Sequence, residues 1–235
     1  MKNYSVTYGS QHIGFTVHHG TRTTLAIEVL PDSSVVIKAP VGTGIEAIRT
    51  RVAKRARWII KQQQYFRQFE PRTPERHFVG GETHLYLGRQ FRVRVCAGDK
   101  DVVKLSRGYF QVELQQQADT DAIRKLLLKW YLDKARLRFA ETLKRCWPAF
   151  KTLGHSEPHL QIRRMKKRWG SLSRNGLLTL NPDLIRAPNE CIDYVITHEL
   201  CHLHSHDHSA EFYRLLERVM PDWEKRKHKL ELALV

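Results

Sequence analysis

The segment His198-Glu199-Leu200-Cys201-His202 constrains this chain more than any other feature of its sequence. On an α-helix, residues four positions apart lie one turn apart on the same face, so His198 and His202 can direct ring nitrogens at one ion. Glu199 lies about 100° around the helix from His198. That offset suits a residue that holds a metal-bound water and acts as its general base. The pentapeptide therefore predicts a zinc hydrolase site on a helix.

The chain contains 13 His, so the context must distinguish a metal site from a chance pair of surface histidines. Apolar residues before and within the pentapeptide recur at helical spacing and predict a buried helix; they are Ile192, Val195, Ile196, Leu200 and Leu203. Pro188 and Asn189 mark the start of that helix. A buried helix that carries this pattern favours metal binding.

Zinc needs a third protein ligand and an open position. His204 would lie about 200° around the helix from His202, on the opposite face. If the helix continued, His206 would share the stripe, but three ligands along one straight stripe would span about 12 Å, which is too far for one ion. The chain is therefore expected to turn after Leu203.

A second helix is predicted from Ala210 to Val219, with Asp207 or Ser209 as its cap. His208 stands at the entrance of this helix and is the predicted third ligand. Glu211 and Glu217, on the helix itself, remain the carboxylate alternatives, because zinc sites with two His and one Glu also exist.

Short periodic runs predict how the rest of the 235-residue chain is organised. A β-hairpin is expected from residues 24–29 and 35–37, followed by one helix at about 43–69 that ends before Pro71. Four more strands, between residues 83 and 114, are expected to join the hairpin in one sheet. These elements would form a small β-rich N-terminal module, residues 1–117, with one basic amphipathic helix.

Residues 118–235 are expected to form a metal-dependent catalytic domain. It would begin with a long helix from Asp119 to about Arg145. Residues 168–173 and 177–181 are expected to pair across Asn175-Gly176, because Asn-Gly is a strong signal for a tight hairpin turn. The whole chain is thus predicted to be of the α+β class.

Composition bears on location and on partners. No stretch approaches the roughly 20 apolar residues of a membrane span, and the first residues lack the apolar core of a signal peptide, so we expect a cytoplasmic protein without membrane contact. Four scattered Cys favour buried thiols over disulfides. The formal net charge of +16 makes an anionic partner plausible.

The positive charge is concentrated in three clusters. They comprise Arg49, Arg51, Lys54, Arg55, Arg57 and Lys61; Arg163, Arg164, Lys166, Lys167 and Arg168; and Lys225, Arg226, Lys227 and Lys229. The first and last clusters are compatible with solvated helix faces. The middle cluster directly precedes the predicted hairpin, and strand alternation would allow one row of it, which includes Arg168, to line the approach to the metal.

Motifs spread over most of the chain resemble the YgjP-like metallopeptidase domain family, a relative of the SprT-like proteases among the zincins. The matching motifs are Gly81-Glu82, Tyr86-Leu87-Gly88, Arg168-Trp169-Gly170-Ser171, Leu180-Asn181-Pro182, His198 to His202, His208-Ser209 and Pro221-Asp222-Trp223. Leu172 and Asp207 stand where relatives often have Cys and Asn, and neither change touches a proposed ligand.

The resemblance implies a zincin-like catalytic domain with an HExxH active-site helix. It also implies one zinc ion per chain on His198, His202 and His208, with Glu199 catalytic. Zincins commonly hold a peptide as an added strand near the zinc, and the segment Arg168, Trp169, Gly170 and Ser171 would suit that role. A core Trp with a bulge Gly is the structural alternative for this segment.

Three functions are compatible with these patterns. The first is a zinc metallopeptidase with peptide or protein substrates. The second is a hydrolase of phosphoanhydrides or nucleotides at the same metal centre, because basic side chains near the site would neutralise phosphates. The third is a nucleic-acid-associated binding protein in which the basic helix docks phosphates. The sequence does not identify the residue that would stabilise the oxyanion, for which Tyr194, Arg168 and His206 are the open candidates.

Overall fold

The computed structural model describes residues 3–30, 32–68, 76–115, 119–166 and 168–234. The chain divides into two compact units, residues 1–73 and 74–234. The expected domain boundary between residues 117 and 118 and the expected helix end at Pro71 both lie outside the described residues. The strands before that boundary belong to the second unit, because they share a core with the long helix that follows them.

The first unit contains a four-stranded sheet and two helices. Its elements are β1 (Asn3–Tyr8), β2 (Gln11–Gly20), β3 (Ala26–Val29), β4 (Val35–Pro40), α1 (Ile45–Lys54) and α2 (Ala56–Arg67). The strand order is β1-β2-β4-β3, with β2 and β4 parallel and the other pairs antiparallel. The predicted hairpin is confirmed as the β3–β4 pair, in which Val29 lies opposite Val35.

The prediction of a single helix in this unit is wrong, because the segment forms two helices. They are interrupted at Arg55, whose φ of −104° and ψ of 5° lie outside the helical range. Ile48, Val52, Ala56 and Ile59 are completely buried on both sides of the interruption. Since the apolar spacing runs through Arg55 without a change, the sequence pattern does not reveal the break.

The second unit begins with a separate four-stranded sheet packed on a long helix. The elements are β5 (Thr83–Tyr86), β6 (Arg89–Ala97), β7 (Val102–Ser106), β8 (Tyr109–Leu114) and α3 (Thr120–Cys146). The strand order β5-β6-β8-β7 includes no strand of the first unit, so the expected single sheet is wrong. The side chain of Asp119 caps α3 by accepting a hydrogen bond from the Ala122 N–H.

The remaining elements of the second unit include the helix that carries the His198–His202 segment and the elements around it. They are α4 (Pro148–Lys151), β9 (His159–Ile162), β10 (Gly170–Leu172), β11 (Leu177–Leu180), a 3-10 turn (Pro182–Arg186), α5 (Asn189–Cys201), α6 (Ala210–Val219) and α7 (Trp223–Leu234). The sheet order is β10-β11-β9, so β10 is an edge strand. Buried residues of both sheets and of α3, α5 and α6 form one continuous core. In the described part of the chain, no helix combines the length and apolarity needed to span a membrane.

Candidate metal centre

The centre is built on α5, which is enclosed by the core of the second unit. The helix begins at Asn189, directly after Pro188, as the sequence predicts. Ile192, Ile196 and Leu200 are completely buried, so the apolar stripe holds the helix in place. The opposite side of the same helix presents His198 and His202 to a cavity.

The chain reverses between α5 and α6. The last turn closes as Leu203 and His204 donate backbone hydrogen bonds to the carbonyls of Leu200 and Cys201. The Ser205 hydroxyl then lies 2.9 Å from an Asp207 carboxylate oxygen and 3.1 Å from the Ser209 hydroxyl. These bonds hold the connection between the helices in a compact turn.

Three imidazoles converge as a result of this reversal. Ring nitrogens of His198, His202 and His208 all lie within 4.8 Å of one another. The Nε2 atoms of His198 and His208 are 3.1 Å apart. Neither Glu211 nor Glu217 is part of this group of described residues, and Glu211 instead lies 3.1 Å from the His204 ring. The structure thus brings the three predicted ligands together.

The protonation chemistry of this group suits a divalent cation. Burial, with smaller contributions from His202 and His208, lowers the pKa of His198 to about 3. Burial also lowers the pKa of His202. His202 Nδ1 lies 3.0 Å from the Ser205 carbonyl oxygen and donates to it, which leaves Nε2 as an acceptor. Neutral imidazoles with free lone pairs are good zinc ligands, so the donor set fits that ion.

Phe212 is a residue of this site that sequence reasoning did not identify. Its ring is completely buried, and its centroid lies 5.0 Å from that of His198, 4.7 Å from His202 and 4.8 Å from His208. One aromatic ring therefore supports all three imidazoles. The available signal was its position four residues after His208, one helical turn away.

Glu199 is a nearly buried carboxylate, with 8% of its surface exposed. Burial raises the pKa of Glu199 to about 7, although the Arg168 guanidinium and a hydrogen bond from the Leu172 backbone oppose the rise. The side chain lies directly against Gly170. A carboxyl group with this pKa can accept and release a proton near neutral pH.

The histidines and Glu199 line one cavity of about 590 Å³. The predicted substrate segment, Arg168 to Ser171, also lines it. Asn181 fastens this segment: its Nδ2 donates to the Met165 carbonyl at 2.8 Å, and its backbone N–H donates to the Trp169 carbonyl at 2.9 Å. The edge strand β10 thus forms one wall of the cavity.

Other lining residues come from α5, from the turn and from α7. They are Tyr194, Val195, His206, Lys227, Leu230 and Glu231. The sequence leaves Tyr194 and His206 open as candidates for stabilising the oxyanion, whereas it suggests no such role for the α7 residues. No local signal identifies the α7 residues, because their place in the cavity depends on the packing of α7 against α5.

The expected basic row before the hairpin is not present as predicted. Strand β9 ends at Ile162, so the alternation needed to align the cluster is lost. Arg164 forms an ion pair with Asp183, with Nε 3.3 Å from Oδ2. Lys167 lies outside the described residues. Arg168 is the member of this cluster that lines the cavity, among the residues that the structure describes.

Comparison with known proteins shows what this chain is similar to. Two solved metallopeptidase zymogens are similar to part of the chain. Abylysin of Pyrococcus abyssi is 26% identical, with a TM-score of 0.35, over 41% of this chain and 99% of that one. Jannalysin of Methanocaldococcus jannaschii is 21% identical, with a TM-score of 0.37, over 41% of this chain and 90% of that one.

No curated protein matches the sequence. The match to a protein family, in contrast, covers residues 23–233, which include nearly all of the second unit and the larger part of the first. It includes every residue of the centre described above. The chain belongs to the YgjP-like, metallopeptidase domain family.

Proposed function

We propose that this chain is a zinc-dependent metallopeptidase in which His198, His202 and His208 hold one zinc ion and Glu199 is the general base. The observation that carries the proposal is the convergence of three imidazoles in the cavity that also contains a nearly buried carboxylate. All of these residues belong to the second unit, to which we assign the catalytic function.

A zinc ion held by this group would supply Lewis-acid chemistry, polarising a carbonyl and acidifying a water. Glu199 supplies the proton transfer. Its carboxylate takes a proton from the attacking water, and the same oxygen can then deliver that proton to the leaving amine. The raised pKa of Glu199, about 7, suits both directions of transfer.

Edge strand β10 gives the proposed peptidase a place for its substrate. An extended peptide can pair with an unpaired strand edge through main-chain hydrogen bonds, which are independent of side-chain identity. Gly170 lies against Glu199, so a peptide paired with this edge would pass beside the proposed base. Trp169 and Ser171 flank this position in the cavity wall. We propose these residues, with Arg168, as the substrate-binding segment.

The test is cleavage of a quenched fluorescent peptide library by zinc-loaded protein, with Glu199→Gln as the matched variant. The variant is expected to keep its zinc and to lose at least about 100-fold in turnover, the usual scale for loss of a general base. Retained turnover would remove Glu199 from the mechanism. Loss of zinc from the variant would make Glu199 a structural residue of the site.

Two cations in the cavity favour a second candidate, hydrolysis of a phosphoanhydride at the same centre. Arg168 and Lys227 both line the cavity that contains Glu199, and cationic side chains stabilise charge on phosphoryl oxygens. A panel of nucleoside triphosphates, assayed beside the peptides, separates the two functions. Phosphate or pyrophosphate release that depends on Glu199, without cleavage of any peptide, would select the second candidate.

A further inference from the structure

The first unit contains a cavity that the proposed peptidase does not use. It has a volume of about 470 Å³, within the usual range of ligand sites. Three groups of residues line it. They are residues 25–27, at the start of the edge strand β3, the arginines Arg51 and Arg55, and the indole of Trp58. Arg55 is the residue at which α1 and α2 are interrupted, and Arg51 lies one turn before it, so this break shapes the cavity.

The two arginines carry charge that no described neighbour neutralises. Arg51 and Arg55 are both exposed, and neither forms an ion pair with any residue in the described ranges. Across residues 45–67 the sequence has seven Lys or Arg and one acidic residue, Glu46, which pairs with Arg49 at 2.8 Å. The positive field around the cavity is therefore uncompensated.

Trp58 is unusual among the large apolar side chains of these helices. It is 40% exposed, whereas Ile48, Val52 and Ile59 are completely buried. Within the described part of the chain, no aromatic ring or cation stacks on its indole. A partly exposed aromatic ring thus lines the same cavity as two guanidinium groups that form no ion pair with any described residue.

We propose that this cavity binds single-stranded nucleic acid, with one base stacked on Trp58 and adjacent phosphates paired with Arg51 and Arg55. Proteins that bind single strands combine an aromatic platform with a cationic groove, and stacking tolerates any base. An acidic peptide paired with β3 is the competing occupant. It would use main-chain hydrogen bonds and charge, and it would have no use for an exposed indole.

The experiment measures binding of a fluorescein-labelled 15-nucleotide oligothymidylate to the full-length chain by anisotropy, across a range of salt concentrations. Trp58→Leu and Trp58→Ala are expected to weaken binding roughly tenfold, the scale of one stacked base. Trp58→Phe, which keeps a stacking ring, is expected to retain most of the affinity. Thermal unfolding of each variant verifies that the first unit remains folded, and a variant that fails is replaced by the other loss variant.

The charge contribution is tested with two double variants of equal net charge. Arg51→Ala with Arg55→Ala should reduce the slope of log affinity against log salt by about 0.7 for each phosphate that the protein no longer neutralises. Arg49→Ala with Arg67→Ala, elsewhere on the same helices, should leave that slope nearly unchanged. Equal losses of affinity in both double variants would overturn the proposal, because they would indicate diffuse charge rather than a site.

Two further outcomes would also overturn it. The first is the absence of binding at about 50 mM salt, where ion pairs with phosphates are strong. The second is that a 15-residue polyglutamate peptide displaces the oligonucleotide and binds with an affinity that does not depend on Trp58. That result would assign the cavity to acidic peptides.

Discussion

Gly170 lies in van der Waals contact with the side chain of Glu199. A Cβ atom at Gly170 would stand 2.7 Å from Glu199 Cγ and 2.9 Å from its Oε1. No side chain fits there unless the carboxylate moves. The Gly in the Trp169-Gly170-Ser171 segment is therefore required by the proposed base.

Gly170→Ala is expected to lower turnover of the hydrolytic activity roughly 100-fold, since a shift of about 1 Å in a catalytic group can cost that much. Zinc content should stay unchanged, because the three atoms nearest to a Cβ at Gly170 all belong to Glu199 and none to a proposed ligand. Turnover and elemental analysis check both parts. Gly14→Ala is the control, because a Cβ there meets nothing within 4 Å. Full turnover in the Gly170 variant would mean that Glu199 can act from a displaced position.

The three proposed ligands are expected to respond alike to substitution. His198→Ala, His202→Ala and His208→Ala should each lower the zinc content of the purified chain, measured by elemental analysis, because two imidazoles hold the ion much more weakly than three. His204→Ala is the matched control, since that ring pairs with Glu211 outside the group. Full occupancy in the His208 variant would redirect the search to Glu211, Glu217 or His206.

The turn at Gly88 supports the start of α5. Gly88 has a φ of +78°, its N–H donates to the Arg186 carbonyl at 2.9 Å, and a Cβ there would lie 2.7 Å from Pro188 Cγ. Gly88→Ala should reduce the free energy of unfolding by about 1–3 kcal/mol more than Gly108→Ala. Gly108 has a similar φ of +82° with nothing within 4 Å, so it isolates the backbone strain. Equal decreases in denaturant titrations would exclude a contribution from the Pro188 packing.

Glu82 is expected to give the second unit an acid-sensitive contribution to stability. Its carboxylate accepts hydrogen bonds from the His77 N–H at 2.9 Å and the Phe78 N–H at 2.7 Å, and lies 2.8 Å from His84 Nε2. Burial raises the pKa of Glu82, but these bonds outweigh burial and hold the pKa below 4.5. Glu82→Gln should cost about 1–3 kcal/mol at neutral pH, the scale of bonds to a charged group.

The sign of the pH dependence follows from the lowered pKa. The stabilisation by Glu82 is complete above the unfolded value near 4.5 and is lost as pH falls through the lower folded value. Unfolding free energies of the wild type and of Glu82→Gln should therefore converge below pH 4.5. A difference that stays constant down to the acid transition would contradict a role for the charge.

Local signals predicted the elements of the site well. Pro188 and Asn189 marked the start of α5, the predicted range Ala210 to Val219 is that of α6, and Asn175-Gly176 joins β10 to β11. Each of these depends on residues near one another in sequence. The cavity wall from α7 and the contacts of Phe212 with His198 and His202 depend instead on packing between helices, which periodicity does not encode.

The same limit explains the errors in the first half of the chain. An apolar face that is continuous through Arg55 carries no mark of a break between helices. Alternating strands carry no information on which sheet they join. Strands 83–114 could be recognised individually, but only the core that they share with α3 assigns them to the second unit.

The complete burial of Ile192, Ile196 and Leu200 on α5 separates the loading of the centre from the folding of the unit. In small zinc domains the binding free energy is also the folding free energy, and chelators unfold them. Here the ligand helix is secured by an apolar core in which the ion has no part. Chelation should empty the site and leave a folded apoprotein, which gains stability from added metal only through mass action. Different metal ions can therefore be added to the apoprotein one after another, while the fold around the site stays the same.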